Sequence, residues 1–256
     1  MLVAGLDIES TGLDKVKDRP IEVGMTLWTT NFSRGLETRS ILVQSDGVKV
    51  TDEITEITGI NQGMVESKRS WVYTPEEAFD EVLYFVNQAE AIVAFNGRRF
   101  DIPMFKAWAK RVGKEWPEKP VIDPYDGDLP DRYTLITPGM RGQELITMCA
   151  KMGIYYDAHE AGADVSAMLR LMAKRPFDMV WQRSQSPIVI IQSQQGRSEN
   201  EKVKKHKFRW HSDMKIWWKA VKQLDLEHLA KQVNNEFPLR ERTDLTPEQL
   251  DTSDSQ

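Results

Sequence analysis

Apolar and polar positions change rhythm along the chain, and each change marks an element. Residues 2–8 are a nearly unbroken apolar run interrupted by Asp7, and residues 21–30 and 36–44 follow at strand length. Short links between such runs predict an antiparallel meander of three strands. Helical spacing then takes over. Ile54 and Ile57 share a face within residues 51–58, and Gly59 supplies a left-handed stop. Thr74-Pro75-Glu76-Glu77 combines an N-cap, a first-turn proline and a capping-box glutamate ahead of the apolar face Phe79, Val82, Leu83 and Val86. Residues 91–95 predict a strand. A helix with Pro103 in its first turn runs from Asp101 toward Gly113, and residues 121–123 predict a further strand. Two more helices are predicted over 143–152 and 161–172. Strands lead and then alternate with helices, so residues 1–177 are expected to form one mixed α/β domain.

Beyond it the pattern shortens. Residues 184–187 read as a linker and 188–192 as a strand, while Phe208-Arg209-Trp210 and Ile216-Trp217-Trp218 read as the arms of a hairpin. An amphipathic helix over 226–233 completes a small α+β module assigned to 178–242. The polar residues 243–256 predict a disordered tail.

Composition adds little for most of the chain and something specific near its end. The 256 residues are 40% hydrophobic and 29% charged, as in ordinary globular proteins. No apolar run reaches the roughly 18–20 residues of a membrane span, so no membrane role is expected. The single cysteine, Cys149, cannot form an internal disulfide, and an intracellular, cytoplasmic setting is expected. The net charge of −5 gives no hint of a nucleic-acid partner, yet residues 197–222 hold nine Lys/Arg against three acids. Cations interleaved with Trp and Phe suit single-stranded nucleic acid, whose backbone attracts charge and whose bases stack. The alternative is a lysine-coated small core, because at least one of two adjacent strand tryptophans points inward.

The candidate chemistry begins on the first strand. Asp7 and Glu9 are two residues apart, so they share a face with Cα atoms about 6.5–7 Å apart. Their mutual repulsion argues for a hard divalent cation between them. Ser10-Thr11-Gly12 then turns the chain and leaves both carboxylates at the strand tip. Asp101 follows an apolar strand and opens a helix, and Asp164 lies early in another. His159 stands five residues before Asp164, roughly 140° away on a continuous helix. It is therefore expected in a loop just before that helix, with Gly162 permitting the bend.

These residues resemble a known family. D-x-E-S-T-G at Asp7 and Glu9, N-x-x-x-F-D from Asn96 to Asp101, and H-x-x-x-x-D from His159 to Asp164 are similar, in order and separation, to the three motifs of the DnaQ-like DEDDh 3′–5′ exonucleases. Arg19-Pro20-Ile21-Glu22-Val23-Gly24, Ile57-Thr58-Gly59-Ile60 and Val121-Ile122-Asp123 supply similar context. Neither Tyr155 nor Tyr156 has an aspartate four residues on, so the histidine form fits better than the tyrosine form. The pair Arg98-Arg99 inside the second motif is the most visible departure.

The resemblance covers about residues 1–175 and implies an RNase H-like mixed sheet flanked by helices. It also implies that Asp7, Glu9, Asp101 and Asp164 hold two divalent ions, Mg²⁺ or Mn²⁺, with His159 as general base. The expected activity is release of nucleoside monophosphates from 3′ ends of DNA, single strands favoured. An exoribonuclease of the same family and a nucleic-acid-binding polymerase-accessory protein are the alternatives. Nucleic-acid contacts are expected from Thr11, Gly12, Asn96, Arg98 and Arg99, and from Lys204, Lys205, Lys207, Arg209, Trp210 and Trp217 in the basic window. DNA is the first expected partner and RNA the second, with replication or repair proteins beyond them.

Overall fold

The computed structural model describes residues 1–130 and 144–251 and divides into two compact units at Ser184/Gln185. Gln143 of a predicted helix and residues 252–256 of the predicted tail lie outside the described residues.

The first unit is built on a six-stranded sheet. Its strands are β1 (Leu2–Ser10), β2 (Pro20–Thr29), β3 (Arg34–Val43), β4 (Val72–Tyr73), β5 (Ala91–Val93) and β6 (Val121–Ile122), in the order β4-β3-β2-β1-β5-β6. β1, β2 and β3 form the antiparallel meander, while β5 runs parallel to β1, β6 to β5 and β4 to β3. The helices are α1 (Asp52–Thr58), α2 (Gln62–Val65), α3 (Pro75–Gln88), α4 (Asp101–Arg111), α5 (Glu144–Lys151), α6 (Ala161–Met172) and α7 (Phe177–Gln185). The predicted caps are present: Gly59 ends α1 at φ +74°, and Thr74 and Glu77 form a reciprocal capping box on α3.

The period-two alternation of β1 sorts the core. Ala4, Leu6 and Ile8 pack with Phe79, Phe85, Phe105 and Trp108 of α3 and α4. Gly5, Asp7 and Glu9 share the opposite face. There a Cβ on Gly5 would meet the Val165 and Leu169 side chains of α6 at 2.8 and 2.7 Å, so the glycine lets α6 lie close on the sheet. β1 also extends to Ser10, which places Glu9 inside the ladder opposite Glu22.

Helix α7 was not expected. Phe177, Val180 and Trp181, at helical spacing after Pro176, pack against the core formed with α5 and α6, and Arg183 Nε donates to the Gly127 carbonyl at 2.9 Å. Those anchors move the division between units from the expected 177/178 to 184/185.

The second unit is a four-stranded antiparallel sheet ordered β10-β7-β9-β8, from β7 (Ile188–Ser193), β8 (Arg209–His211), β9 (Ile216–Lys222) and β10 (Leu239–Glu241). α8 (Asn200–Lys205), α9 (Leu226–Val233) and α10 (Pro247–Asp251) complete it. Adjacent Trp217 and Trp218 enter two different apolar clusters, the first with Val203, Phe208 and Phe237, the second with Ile190, Ile216 and Leu250. The expected disorder from residue 243 does not hold over the described part of the tail. Leu250 is buried with Trp218, and Leu245 packs against the same cluster, two apolar anchors that the polar composition conceals.

Candidate metal centre and active site

Three carboxylates converge at the tip of β1. Asp7, Glu9 and Asp164 offer oxygen atoms that all lie within 4.8 Å of one another. Asp164 reaches them because the first turn of α6 is fixed to β2. Glu22 accepts a hydrogen bond from the Ser40 hydroxyl at 2.8 Å and another from the Ala161 N–H at 3.1 Å. Gly24, opposite Asp7, lies so close that a Cβ there would overlap the Ala161 carbonyl. Backbone against backbone has little room to give. We expect Gly24→Ala to destabilise the protein by about 3 kcal/mol, the upper end of ordinary overpacking, seen as a lower denaturant midpoint at unchanged slope.

Asp164 is held on both oxygens. The Tyr156 hydroxyl donates to Oδ1 and the His159 N–H to Oδ2, each at 2.8 Å. His159 sits on an exposed bend with φ +67°, ahead of a helix that starts at Ala161, so the expected loop position is found. The bend is at His159 itself. Gly162 lies inside α6, where its missing Cβ makes room for Ser40, at 3.0 Å from Cβ to Cβ. Tyr156 fails the spacing of a motif tyrosine yet touches Asp164, because a loop rather than a helical turn brings the two together.

Asp101 opens α4, is 3% exposed, and its Oδ1 has no hydrogen-bond partner among the described residues. It is not one of the three clustered groups, but its charge acts on both Asp7 and Glu9. The turn before it is clamped by Asp123, Asp126 and Asp128, acids that lie outside the three motifs. Asn96, at φ +58°, and Arg98 donate backbone N–H bonds to Asp123 at 2.8 and 3.1 Å. Asp123 N–H in turn donates to Asp128 at 2.7 Å. The Arg98 guanidinium bonds Asp128 at 2.7 Å and the Val121 carbonyl, and Arg99 pairs with Asp126 at 3.2 Å. Both arginines thus brace the second motif. Thr11 and Gly12 do the same for the loop after β1. The Thr11 hydroxyl donates to Asp18 at 2.9 Å, and a Cβ on Gly12 would lie 2.5 Å from the Asp18 carboxylate.

In the second unit, Lys204, Lys205, Lys207 and Arg209 are exposed and Trp210 is half-buried. Lys205 pairs with Glu236 at 3.3 Å, and the Arg209 guanidinium lies 4.2 Å from the Trp218 ring centre. Trp217 is 3% exposed and bonds the Gly196 carbonyl through Nε1 at 3.3 Å, which leaves it no face for a base.

Electrostatics at the first-unit site favour a positive counter-charge. Burial, then Asp101, Asp164, Glu9 and Glu22, hold Asp7 well above its ordinary range. Burial and the charges of Asp164, Glu22 and Asp101 push Glu9 from 4.5 to about 8. Burial and Asp123 push Asp101 from 3.8 to about 7. Asp164 is raised by burial, against the lowering effect of its bonds from Tyr156 and His159. An unbonded buried oxygen on Asp101 beside carboxyls that resist ionisation fits hard divalent ions, which prefer oxygen ligands.

The linkage has a definite sign. Glu9 and Asp101 bind protons more tightly folded than unfolded, so their stabilising contribution is complete below their ordinary values of 4.5 and 3.8. It is lost as pH rises through about 7 to 8. Mn²⁺ held by these carboxylates would supply the missing counter-charge. The gap in melting temperature between Mn²⁺ and chelator should therefore widen from pH 5 to pH 8, as thermal melts would register.

Comparison with known proteins gives the family and the fold. The exonuclease family model RNase_T matches residues 4–172. The PolC-type DNA polymerase III of Thermotoga petrophila is 36% identical over 160 residues, 62% of this chain and 10% of the polymerase. That of Thermotoga maritima is 34% identical over 119 residues, 46% of this chain and 8% of the polymerase. The chain thus spans no more than about a tenth of those relatives. Among solved structures, E. coli exonuclease I in complex with a dT13 oligonucleotide superposes with a TM-score of 0.63 at 16% identity, covering 98% of this chain and 68% of that one. The nuclease domain of 3′hExo, a DEDDh family member bound to rAMP, gives 0.53 at 16% identity, covering 69% of this chain and 92% of that one. These two likenesses show the shared RNase H-like fold. With the family model spanning the three motifs, the chain belongs to the RNase_T exonucleases, the DnaQ-like DEDDh enzymes that act on nucleic acids.

Proposed function

We propose that this protein is a metal-dependent 3′–5′ exonuclease that removes nucleoside monophosphates from single-stranded DNA ends. The observation that carries this reading is the convergence of Asp7, Glu9 and Asp164, with buried Asp101 acting on Asp7 and Glu9 by its charge and leaving one oxygen unbonded. Asp7, Glu9, Asp101 and Asp164 would hold the Mg²⁺ or Mn²⁺ ions. Bound there, two such ions supply an acidified water and charge neutralisation at the phosphate. His159, on its exposed bend, takes the proton from the attacking water as general base. Tyr156 and the His159 N–H hold the Asp164 carboxylate in one orientation.

DNA is favoured over RNA because the PolC-type relatives are DNA polymerases and a structural neighbour carries bound dT13. The same relatives support a replication or repair setting with proteins of those processes as partners. The rAMP bound by 3′hExo supports the exoribonuclease alternative. Incubating labelled single-stranded DNA, duplex DNA and RNA side by side with Mg²⁺ tests the assignment. Single-stranded DNA should be degraded fastest, and preferential loss of RNA would replace it with the alternative.

Exposed Lys204, Lys205 and Lys207 of the second unit would attract the phosphates of a single strand. Changing all three to Gln should lower the slope of log affinity against log salt by about 2, at roughly 0.7 per phosphate contact on a single strand.

A further inference from the structure

We infer that Lys15 is a substrate-positioning residue, gripping the phosphate next to the scissile one on the Asp101 side of the site. The inference rests on the exonuclease reading above.

Residues 13–18 form a loop braced from two directions. Arg111, in the last turn of α4, donates to the Lys15 and Val16 carbonyls at 3.4 Å. Arg19 Nη1 donates to the carbonyls of Val16, Lys17 and Asp18 at 3.2, 2.7 and 3.2 Å. From this frame the half-buried Lys15 side chain reaches the Phe100 ring, with Nζ 4.9 Å from its centre, and donates to the Leu13 carbonyl at 2.9 Å. Phe100 immediately precedes Asp101, so the helix that carries a metal-site carboxylate also carries the platform for this ammonium.

That position needs a reason. A fixed cation beside a cation site opposes metal binding, because like charges in a buried setting repel. The repulsion is offset when the substrate brings its own anion. An ammonium has three donors, and Lys15 uses one on Leu13, which leaves two for phosphate oxygens. Among the described residues Lys15 has no carboxylate partner within 4 Å. The ring that Lys15 meets belongs to the residue before Asp101, and Asp101 stands outside the three clustered carboxylates. That outlying place suits a neighbouring phosphate better than the one being cleaved.

Lys15→Gln in the full chain separates this role from a structural one. Mn²⁺ titrated into the variant should bind as tightly as to the wild type or a few-fold tighter. A labelled short oligo-dT, followed by anisotropy with Ca²⁺ as the metal, should bind about 5–10-fold more weakly, and its salt slope should fall by about 0.7. Thymidine 5′-monophosphate, which carries only the phosphate at the cleavage position, should bind unchanged. Lys15→Arg should restore oligonucleotide binding. An unchanged salt slope would overturn the inference, as would weaker Mn²⁺ binding or a parallel loss of mononucleotide affinity. Absence of any wild-type hydrolysis would refute the exonuclease reading alone, since the binding series decides the lysine by itself.

Discussion

Asp7→Asn should lower hydrolysis of a 3′-ended oligonucleotide by at least roughly 10³-fold, since a metal-held transition-state charge is worth several kcal/mol. The same substitution should raise the melting temperature of the metal-free protein. Asp7 is held above its ordinary range by burial and by four neighbouring acids, so a neutral isostere removes a repulsion that the native fold otherwise carries. Opposite signs for activity and apo stability are the signature of a carboxylate kept for a cation. Thermal melts in chelator and a rate assay on the same preparation read both. A variant with wild-type rate, or with reduced stability in chelator, would remove Asp7 from the metal site.

His159→Asn is the second large effect. Loss of the general base should lower kcat by roughly 10²–10⁴-fold, while Mn²⁺ affinity stays near the wild-type value. The separation follows from geometry: the backbone N–H of residue 159, not the imidazole, bonds Asp164. Asn tolerates the left-handed conformation that position 159 adopts at φ +67°, which keeps the bend and that bond in place. Calorimetric Mn²⁺ titration beside single-turnover kinetics checks both halves. Lost metal binding with a folded protein would make the imidazole a ligand.

Much of this site was legible because its signals are local. The Asp7–Glu9 spacing needs only the alternation of a strand, and the caps at Thr74 and Gly59 need only nearest neighbours. The five-residue gap from His159 to Asp164 excluded a continuous helix and so placed His159 in a loop, although the bend falls at His159 and not at Gly162. What stayed hidden depends on partners distant in sequence. The Glu22–Ala161 bond spans 139 residues, and nothing near either end announces it. The acids that clamp Arg98 lie 28 to 30 positions on, so Arg98-Arg99 looked like phosphate ligands when read alone. Trp217 and Trp218 show the limit of a pattern argument. Alternation required one to be buried, and the second unit buries both, because its sheet is covered on each face.

The most direct measurement uses one single-stranded DNA oligonucleotide labelled in turn at its two ends. With Mn²⁺, the 3′ label should leave at once as a mononucleotide, while the 5′-labelled strand shortens stepwise. Chelator should stop both. Degradation that persists in chelator, or a 5′ label released first, would contradict a metal-dependent 3′–5′ exonuclease at Asp7, Glu9, Asp101 and Asp164.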